Sequence, residues 1–495
     1  MLQQLTVTNG KITTSDGTPV LLRGTCVGGW MNLEDFINAY PGTESGIRRH
    51  IKEVLGEKTG RYFFERMADH FFSEDDIAFI ASTGANVVRL PLSYHHFEDD
   101  MNPFVYKEEG FERLDSIIRL CEKYNLYVIL DMHAVAGWQN CHWHSDNERG
   151  ASLFWDHKHF QDRLTALWEE FARRYAGKTV VAGYNLMNEP SSSTPNGEHP
   201  FDFYANYKPN WERINSVYRR IVSAIRAIDP DHIIFLEGDN YSRLFSGLDE
   251  PFDDKLVYSS HNYTAPGFGP GDYPGYYPGP YGPVYWDRNY YKRCFLHEEG
   301  TEFASRYHVP LWVGEFGAQY HGPSDQLPDR LRAMDDQLSV YNELGVNWTT
   351  WTYKDAGVMG WVTLDPDSDY MRMVKPVQEM KRTLGAENFV AHYGPLCPGR
   401  AKSRELADLL LDGSGNSLMN HADNGFLLNY AALTGYAAAL LQPTYAKRFI
   451  HMTETEIDQV MQAFRFKNCR INNNYLEILK RRIAEPYSTP EANRL

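Results

Sequence analysis

The sequence predicts a (β/α)8 barrel, in which eight parallel strands alternate with helices, followed by a helical extension. Eight short apolar runs are spread over residues 21–351, and most of the segments between them show helical periodicity. Strands of such a barrel are buried on both faces, so they show as continuous apolar runs. A polar residue also follows nearly every run, as expected at the carboxyl-terminal edge of the barrel, where functional side chains converge.

The apolar runs and the helical patterns between them define the predicted elements. The predicted strands are Leu21–Arg23, Asn86–Leu90, Tyr127–Leu130, Val181–Met187, His232–Leu236, Leu256–Ser259, Pro310–Val313 and Val346–Trp351. In the segment Phe111–Tyr124, apolar residues recur at positions i, i+3, i+4 and i+7, which predicts a helix. The sequence Ser73-Glu74-Asp75-Asp76 is a capping box that predicts the start of another helix.

Two long segments interrupt the barrel pattern, and a third region follows it. Residues 27–72 come after the first strand, and residues 264–300, rich in Gly, Pro and Tyr, come after the sixth. Loops of this length in a compact domain are usually functional, so we expect both to rise above the carboxyl-terminal face. Strand-like runs cease near residue 400, and helices are predicted at Lys402–Leu411, Ala422–Leu441 and Thr453–Phe466. We therefore predict a barrel domain over residues 1–400 and a helical extension over residues 401–495, packed on the barrel.

Composition excludes several functional classes. The formal net charge is 49 − 65 = −16, which argues against a nucleic-acid partner, because phosphate binding requires concentrated Lys and Arg. No stretch approaches the ~18 consecutive apolar residues of a membrane span. Residues 1–10 lack a secretory signal pattern, and the six cysteines lack CxxC spacing. These features predict reduced thiols and a cytoplasmic location.

Two glutamates that follow apolar strands carry the chemical prediction. Glu189 follows the fourth predicted strand, and Glu315 follows the seventh. These strands lie across one barrel mouth from each other, and cleavage of a glycosidic bond uses two carboxyl groups on opposite sides of that bond. Arg89 ends the second strand, where its charge would stabilise an ionised carboxylate.

The strand-end segments resemble those of glycoside hydrolase family 5, a family of retaining (β/α)8 glycosidases. The matching segments are Val87–Pro91, Asp131–His133, Asn188–Pro190, His261–Tyr263, Gly314–Gly317 and Trp348–Trp351, in this order along the chain. The resemblance covers about residues 20–365.

This resemblance implies a role for each matched residue. Glu189 would be the acid/base and Glu315 the nucleophile, with Arg89 orienting the nucleophile and Asn188 binding the 2-hydroxyl of the sugar. The remaining residues that the resemblance places around the cleaved sugar are His133, His261, Tyr263 and, as a platform beneath it, Trp351.

The loop at residues 131–140 is similar to the third-strand loop of exo-β-1,3-glucanases, which implies a blocked pocket. We predict that Trp138 in this loop binds substrate. Lys354 and Asp355, which follow the eighth strand, are also predicted to reach sugar hydroxyls.

We therefore predict a retaining β-glycosidase that acts on a terminal sugar of oligosaccharides or small glycosides, in the manner of a β-glucosidase or exo-glucanase. An endo-acting β-glucanase or β-mannanase and an inactive carbohydrate-binding barrel are the alternatives. The sequence leaves the sugar, the linkage and the oligomeric state open.

A metal centre is the competing chemical hypothesis. His142 and His144 lie close in sequence to Asp131, His133 and Cys141, and zinc binds such side chains. Metal sites in barrels, however, require histidines on several strand ends, so we predict neither a metal nor another cofactor.

Overall fold

Eight parallel strands form a closed barrel, and each predicted strand corresponds to one of them. The computed structural model describes residues 2–193, 207–269, 271–279, 282–320, 326–387, 397–414 and 429–486. The barrel strands are β3 (Arg23–Cys26), β4 (Val87–Ser93), β5 (Tyr127–Ala134), β6 (Val181–Asn185), β7 (Ile233–Glu237), β8 (Leu256–His261), β11 (Leu311–Glu315) and β12 (Asn347–Thr350), in that order around the barrel. The prediction of a (β/α)8 barrel is confirmed.

Helices surround the barrel between its strands. They are α1 (Glu44–Leu55), α2 (Glu57–Phe71), α3 (Glu74–Ser82), α4 (Glu108–Lys123), α5 (Lys158–Tyr175), α6 (Trp211–Arg226), α7 (Arg288–Leu296), α8 (Glu299–Tyr307), α9 (Leu327–Leu344) and α10 (Asp369–Leu384). The predicted capping box precedes α3, where the Ser73 backbone N–H donates to Asp76 Oδ2 at 2.9 Å. Helix α4 begins three residues before the predicted helix and ends one residue before its predicted end.

Two small hairpins lie outside the barrel. Strands β1 (Leu5–Thr8) and β2 (Lys11–Thr14) pair antiparallel, and their Leu5 and Ile12 side chains join a buried apolar cluster with residues from inside the barrel. This hairpin therefore closes the amino-terminal end of the barrel. Strands β9 (Gly275–Tyr277) and β10 (Val284–Trp286) form the second hairpin, within the Tyr-rich insertion.

The carboxyl-terminal region contains both helices and a strand. Its helices are α11 (Pro398–Ser414), α12 (Ala438–Ala446), α13 (Glu454–Met461) and α14 (Asn473–Ile483), and a π-helix spans Asn429–Ala437. Helix α11 crosses the predicted domain boundary at residue 400, and residues 422–428 of a predicted helix lie outside the described residues. Strand β15 (Cys469–Ile471) pairs antiparallel with β14 (Val362–Leu364), which pairs with β13 (Lys354–Asp355). The prediction of a purely helical extension missed this strand, whose three residues are too few to show a pattern.

Helix α10 holds the loop that follows β3. The Tyr370 hydroxyl donates to the Asn38 carbonyl at 2.5 Å, Gln378 Nε2 donates to the Ala39 carbonyl at 2.6 Å, and Lys381 Nζ donates to the Tyr40 carbonyl at 2.7 Å. Tyr445 of α12 shares a 2.6 Å hydrogen bond with the Tyr370 hydroxyl. The elements after the barrel thus fix the backbone of the first insertion. None of the helices in the described part of the chain is long and apolar enough to cross a membrane.

Candidate active site

A layer of charged side chains lies directly above the apolar floor of the barrel. Ile129 and Phe235 belong to the buried apolar cluster that fills this floor. Side chains alternate along a strand, so Asp131 and Glu237, two positions further on, also point into the barrel. Arg89 lies on β4 opposite Ile129 in the strand register, and its side chain reaches Asp131 and Glu237. All three charged residues are buried.

Arg89 is the centre of this layer. Its Nη1 donates to Glu315 Oε1, and its Nη2 donates to Asn188 Oδ1 at 2.5 Å. The same Nη2 lies 3.0 Å from Asp131 Oδ2 and 3.4 Å from Glu237 Oε1. A buried arginine in this position balances the negative charge of its neighbours and fixes the Glu315 carboxylate and the Asn188 amide side by side.

The structure brings Glu315 and Glu189 together, with His261 between them. His261 Nδ1 lies 2.6 Å from Glu189 Oε1 and 3.7 Å from Glu315 Oε2, while the Tyr263 hydroxyl donates to Glu315 Oε2 at 2.9 Å. One donor atom each of Glu189, His261 and Glu315 lies within 4.8 Å of the others. A separation of at most 4.8 Å between carboxylate oxygens of Glu189 and Glu315 is compatible with the ~5–5.5 Å between the carboxyl groups of retaining glycosidases and well below the ~6.5–9.5 Å of inverting ones.

The backbone of Glu189 is held in an unusual conformation. Its φ of 46° lies in the left-handed region that non-glycine residues seldom adopt. Its N–H donates to Glu237 Oε2 at 2.7 Å, and its carbonyl accepts a 2.9 Å hydrogen bond from Asn140 Nδ2. Such a conformation persists where neighbouring groups determine it, and here it turns the Glu189 side chain toward the barrel mouth.

His133 lies at the other side of the mouth and is fixed by three contacts. Its Nδ1 is 2.8 Å from Asp131 Oδ2, its Nε2 is 3.4 Å from Asn188 Nδ2, and its ring stacks on Trp351 with centroids 5.3 Å apart and an interplanar angle of 3°. Burial lowers the pKa of His133 to about 3, so the ring is neutral at physiological pH. Trp351 therefore presents a flat apolar surface beside the neutral imidazole ring of His133.

The functional side chains surround a cavity of about 220 Å³. It is lined by Glu34, His133, His142, Trp143, His144, Glu189, Tyr241, Tyr263, Glu315 and Trp351. A cavity below the ~300–1,000 Å³ of typical ligand pockets suits a single small ring.

Glu34 is a cavity residue that sequence reasoning missed. It comes from the loop held by α10, is buried, and lies with Oε1 3.5 Å from His133 Nε2 and with Oε2 accepting from Trp143 Nε1 at 3.3 Å. Burial, together with the charge of Glu315, raises the pKa of Glu34 well above its ordinary value. Tyr241 was also missed, because neither residue follows a predicted strand directly.

Residues 58–357 match the family model described as cellulase (glycosyl hydrolase family 5), which is more than half of the chain. The chain belongs to glycosyl hydrolase family 5. A β-xylosidase of Phanerodontia chrysosporium is 35% identical over an alignment of 490 positions, gaps included, that covers 94% of this chain and 95% of that protein. The predicted family, the fold and the assignment as a glycosyl hydrolase are thereby confirmed.

Relatives of lower identity carry the names of different glycosidases. The cellodextrinase A of Ruminococcus flavefaciens is 29% identical over 269 residues, covering 52% of this chain and 71% of that protein. A probable glucan 1,3-β-glucosidase A of Aspergillus clavatus is 25% identical over 374 residues, covering 69% and 84%. The family therefore fixes the reaction class of this glycosidase and leaves its sugar open.

Six predicted substrate-binding residues of this family 5 enzyme do not line the described cavity. Arg89 and His261 contact the glutamates that line it, and Asn188 contacts Arg89 and His133, whereas Trp138, Lys354 and Asp355 make none of these contacts. Trp138 is half-buried with a φ of 60°, and it lies in the loop that follows β5. Lys354 is fully buried, with Nζ 2.6 Å from Asp76 Oδ1 and donating to the carbonyl of Phe71 at 2.7 Å. The prediction that Lys354 contacts sugar is wrong, because its charge is used to join α3 and the end of α2.

Asp355 is likewise a structural residue. Its Oδ1 accepts from the backbone N–H groups of Gly357 and Val358 at 2.8 and 3.0 Å, and its Oδ2 accepts from those of Met359 and Gly360 at 2.5 and 3.1 Å. The carboxylate organises the turn that follows β13, so the prediction of a sugar contact by Asp355 is also wrong.

We expect replacement of Lys354 by methionine to lower the free energy of unfolding by about 3–5 kcal/mol, because it leaves the buried Asp76 charge without its partner. Urea denaturation of both proteins measures this loss. Lys402, whose side chain is 78% exposed and pairs with Glu405, provides the matched control, and Lys402→Met should leave stability within experimental error. A selective rise in KM without loss of stability in Lys354→Met would restore the role in sugar binding.

The histidine-rich segment does not form a separate metal centre among the described residues. His144 Nε2 lies 3.2 Å from Glu189 Oε2, and the His142 ring stacks on Trp143 with centroids 5.5 Å apart. Burial lowers the pKa of His144 to about 3. In the described chain, the set of donors close enough to surround one ion is Glu189, His261 and Glu315, and these are already paired with one another and with Arg89.

Proposed function

We propose that this enzyme is a retaining exo-β-glycosidase that removes one terminal sugar from oligosaccharides or small glycosides. The close approach of the Glu189 and Glu315 carboxyl groups is the observation that carries the proposal. A nucleophile that attacks the anomeric carbon directly needs this short separation, whereas an enzyme that inserts water needs a longer one.

In the first step, the Glu315 carboxylate forms a bond to the anomeric carbon while the bond to the leaving oxygen breaks. Glu189 gives a proton to that oxygen, so the leaving group departs as a neutral alcohol. In the second step, Glu189 takes a proton from water, and the resulting hydroxide displaces Glu315 from the anomeric carbon. Arg89 and Tyr263, which donate to the two oxygens of Glu315, position the nucleophile and stabilise it as a leaving group.

Asn188 and Trp351 are suited to hold the sugar during both steps. The Asn188 amide is locked by Arg89 through Oδ1, and its Nδ2, which is 3.4 Å from His133 Nε2, has a second N–H with which to bind a sugar hydroxyl. Trp351 forms one wall and offers a flat surface against which a pyranose ring packs.

The size of the cavity and its walls support exo action. Glu34 and Trp143 come from two different loops, are joined by a hydrogen bond, and close one side of the cavity. None of the described residues of the Tyr-rich insertion, 264–269, 271–279 and 282–300, lines the cavity, so the closure comes from the first insertion and from the loop after β5. A polysaccharide chain that continued past this wall would meet buried side chains.

A relative that matches nearly the whole chain suggests the sugar. Because the Phanerodontia chrysosporium β-xylosidase covers 94% of this chain, we favour a β-linked pentose such as xylose as the terminal sugar, with glucose as the second candidate. The probable glucan 1,3-β-glucosidase A of Aspergillus clavatus supports glucose, although it matches a smaller share of the chain.

Two assays test this function. Hydrolysis of aryl β-glycosides of xylose, glucose, mannose, galactose and arabinose should favour one sugar, and proton NMR of its first-formed product should show the retained β anomer. On a soluble β-glucan or xylan, an exo enzyme releases monosaccharide with little loss of viscosity. An α anomer formed first would contradict the retaining mechanism, and a rapid fall in viscosity with mixed oligosaccharides would show endo action.

A further inference from the structure

Glu237 is a buried carboxylate that contacts the backbone of Glu189 and the side chains of His261 and Arg89. Its Oε2 accepts the backbone N–H of Glu189 at 2.7 Å, and its Oε1 accepts from Asn185 Nδ2 at 2.6 Å. The same Oε1 lies 3.5 Å from His261 Nε2 and 3.4 Å from Arg89 Nη2. Glu237 does not line the cavity, so it acts on the substrate only through these neighbours.

His261 is surrounded by carboxylates. Glu237 lies on its Nε2 side, while Glu189 and Glu315 lie on its Nδ1 side. Burial disfavours the imidazolium, but the charges of Glu315, Glu237 and Glu189 outweigh it and raise the pKa of His261 well above its ordinary value. In turn, the charge of His261 overcomes burial and holds the pKa of Glu237 at about 2. The charge on Glu237 therefore favours the imidazolium of His261, which is hydrogen bonded to the acid/base glutamate.

Other charged groups face this cluster from the neighbouring strands. The titratable and charged residues around His261 and Glu237 are Arg89, Asp131, His133, His144, Glu189 and Glu315. His133 and His144 are neutral, because burial lowers the pKa of each to about 3. Burial raises the pKa of Asp131 to about 7 against the opposing charge of Arg89, so Asp131 also changes charge near neutral pH. Glu237 thus keeps its negative charge over the range in which Asp131 titrates.

We propose that Glu237 is a positioning residue with two effects. It fixes the backbone of Glu189, and its charge keeps a proton on the Glu189–His261 pair until that proton is delivered to the leaving group. This inference rests on the proposed function, because it takes Glu189 as the proton donor. The pair holds one proton between Glu189 Oε1 and His261 Nδ1, which are 2.6 Å apart. When the glycosidic bond breaks, that proton moves to the leaving oxygen, and the water of the second step replaces it.

Glu237→Gln tests the charge while it keeps the shape. The glutamine carbonyl can still accept the Glu189 N–H, but the negative charge near His261 is gone, so the pair loses its proton at lower pH. We expect the basic limb of the kcat/KM profile on an aryl glycoside to move down by about one pH unit, since a charge at this distance shifts a titration by about 1–3 units. A role confined to packing would lower activity without moving this limb.

Asp229→Asn is the matched control, in the segment that leads into the same barrel strand. Asp229 is a buried carboxylate that pairs with His232, its Oδ2 lying 2.5 Å from His232 Nδ1, and it precedes β7, whereas Glu237 ends that strand. The basic limb of Asp229→Asn should coincide with that of the wild type. Coinciding limbs in all three proteins would overturn the proposal.

A titration of His261 in the wild-type enzyme tests the proposal even if Glu237→Gln does not fold. In a histidine ring ¹⁵N NMR titration, the His261 signals are identified as those absent from His261→Asn. In the wild type, His261 should lose its proton at a higher pH than an ordinary histidine. In Glu237→Gln, it should lose its proton at a lower pH than in the wild type. A neutral His261 at pH 6 in the wild type would overturn the proposal even if the enzyme retains configuration. Absence of glycosidase activity would instead overturn the proposed function, so the two failures are distinguishable.

Discussion

Replacing Glu315 by alanine is expected to abolish turnover of every glycoside, lowering kcat/KM by about 10⁴-fold or more. No covalent intermediate can form without this carboxylate, and the loss should therefore be the same for good and poor leaving groups. Arg89 still pairs with Asp131 and Glu237 in the variant, so the fold should be retained. Steady-state rates on aryl glycosides with a range of leaving-group acidities measure the effect.

The control for this variant is an exposed glutamate outside the site. Glu302 lies on α8 with its side chain 50% exposed, and Glu302→Ala should keep the wild-type rate. Added azide can enter the space left by Glu315 and attack from that side, which would give a glycosyl azide of inverted configuration. Full activity in Glu315→Ala would show that Glu315 is not the nucleophile.

Replacing Glu189 by alanine is expected to have an effect that depends on the leaving group. Poor leaving groups need the proton, so their kcat/KM should fall by about 10²–10⁴-fold, whereas the first step with highly acidic phenols should be nearly unaffected. The second step also loses its base, so the glycosyl-enzyme should accumulate and give a burst of phenol. Stopped-flow absorbance with aryl glycosides, from dinitrophenyl to weakly acidic phenols, separates these effects.

Azide should rescue the Glu189 variant in a distinctive way. As an anion that needs no base, it should release the glycosyl-enzyme and give a glycosyl azide of retained configuration, the opposite of the product expected from Glu315→Ala. If both variants lose the same activity on all leaving groups and azide accelerates neither, the assignment of the two glutamates is wrong.

Local sequence patterns are sufficient to predict the barrel and the positions of Glu189 and Glu315 on it. Each strand is buried on both faces, so its apolar run is visible without knowledge of its neighbours. Glu189 and Glu315 directly follow such runs, and the order of strands around a (β/α)8 barrel then places them at one mouth. Asp131 and Glu237 obey the same alternation, two positions beyond the buried Ile129 and Phe235, although the sequence assigns Glu237 no role.

What the sequence alone determined is therefore the fold, the family and the position of each strand-end residue. Only the tertiary structure decided which loop residues reach the cavity, because that depends on contacts between segments far apart in the chain. Glu34 reaches the cavity because α10, more than 300 residues later in the chain, fixes its loop. Lys354 follows a barrel strand, yet its side chain turns away from the cavity and pairs with the buried Asp76. A charged residue next to a strand end can bind a ligand or pair with a distant opposite charge, and the local sequence is the same in both cases.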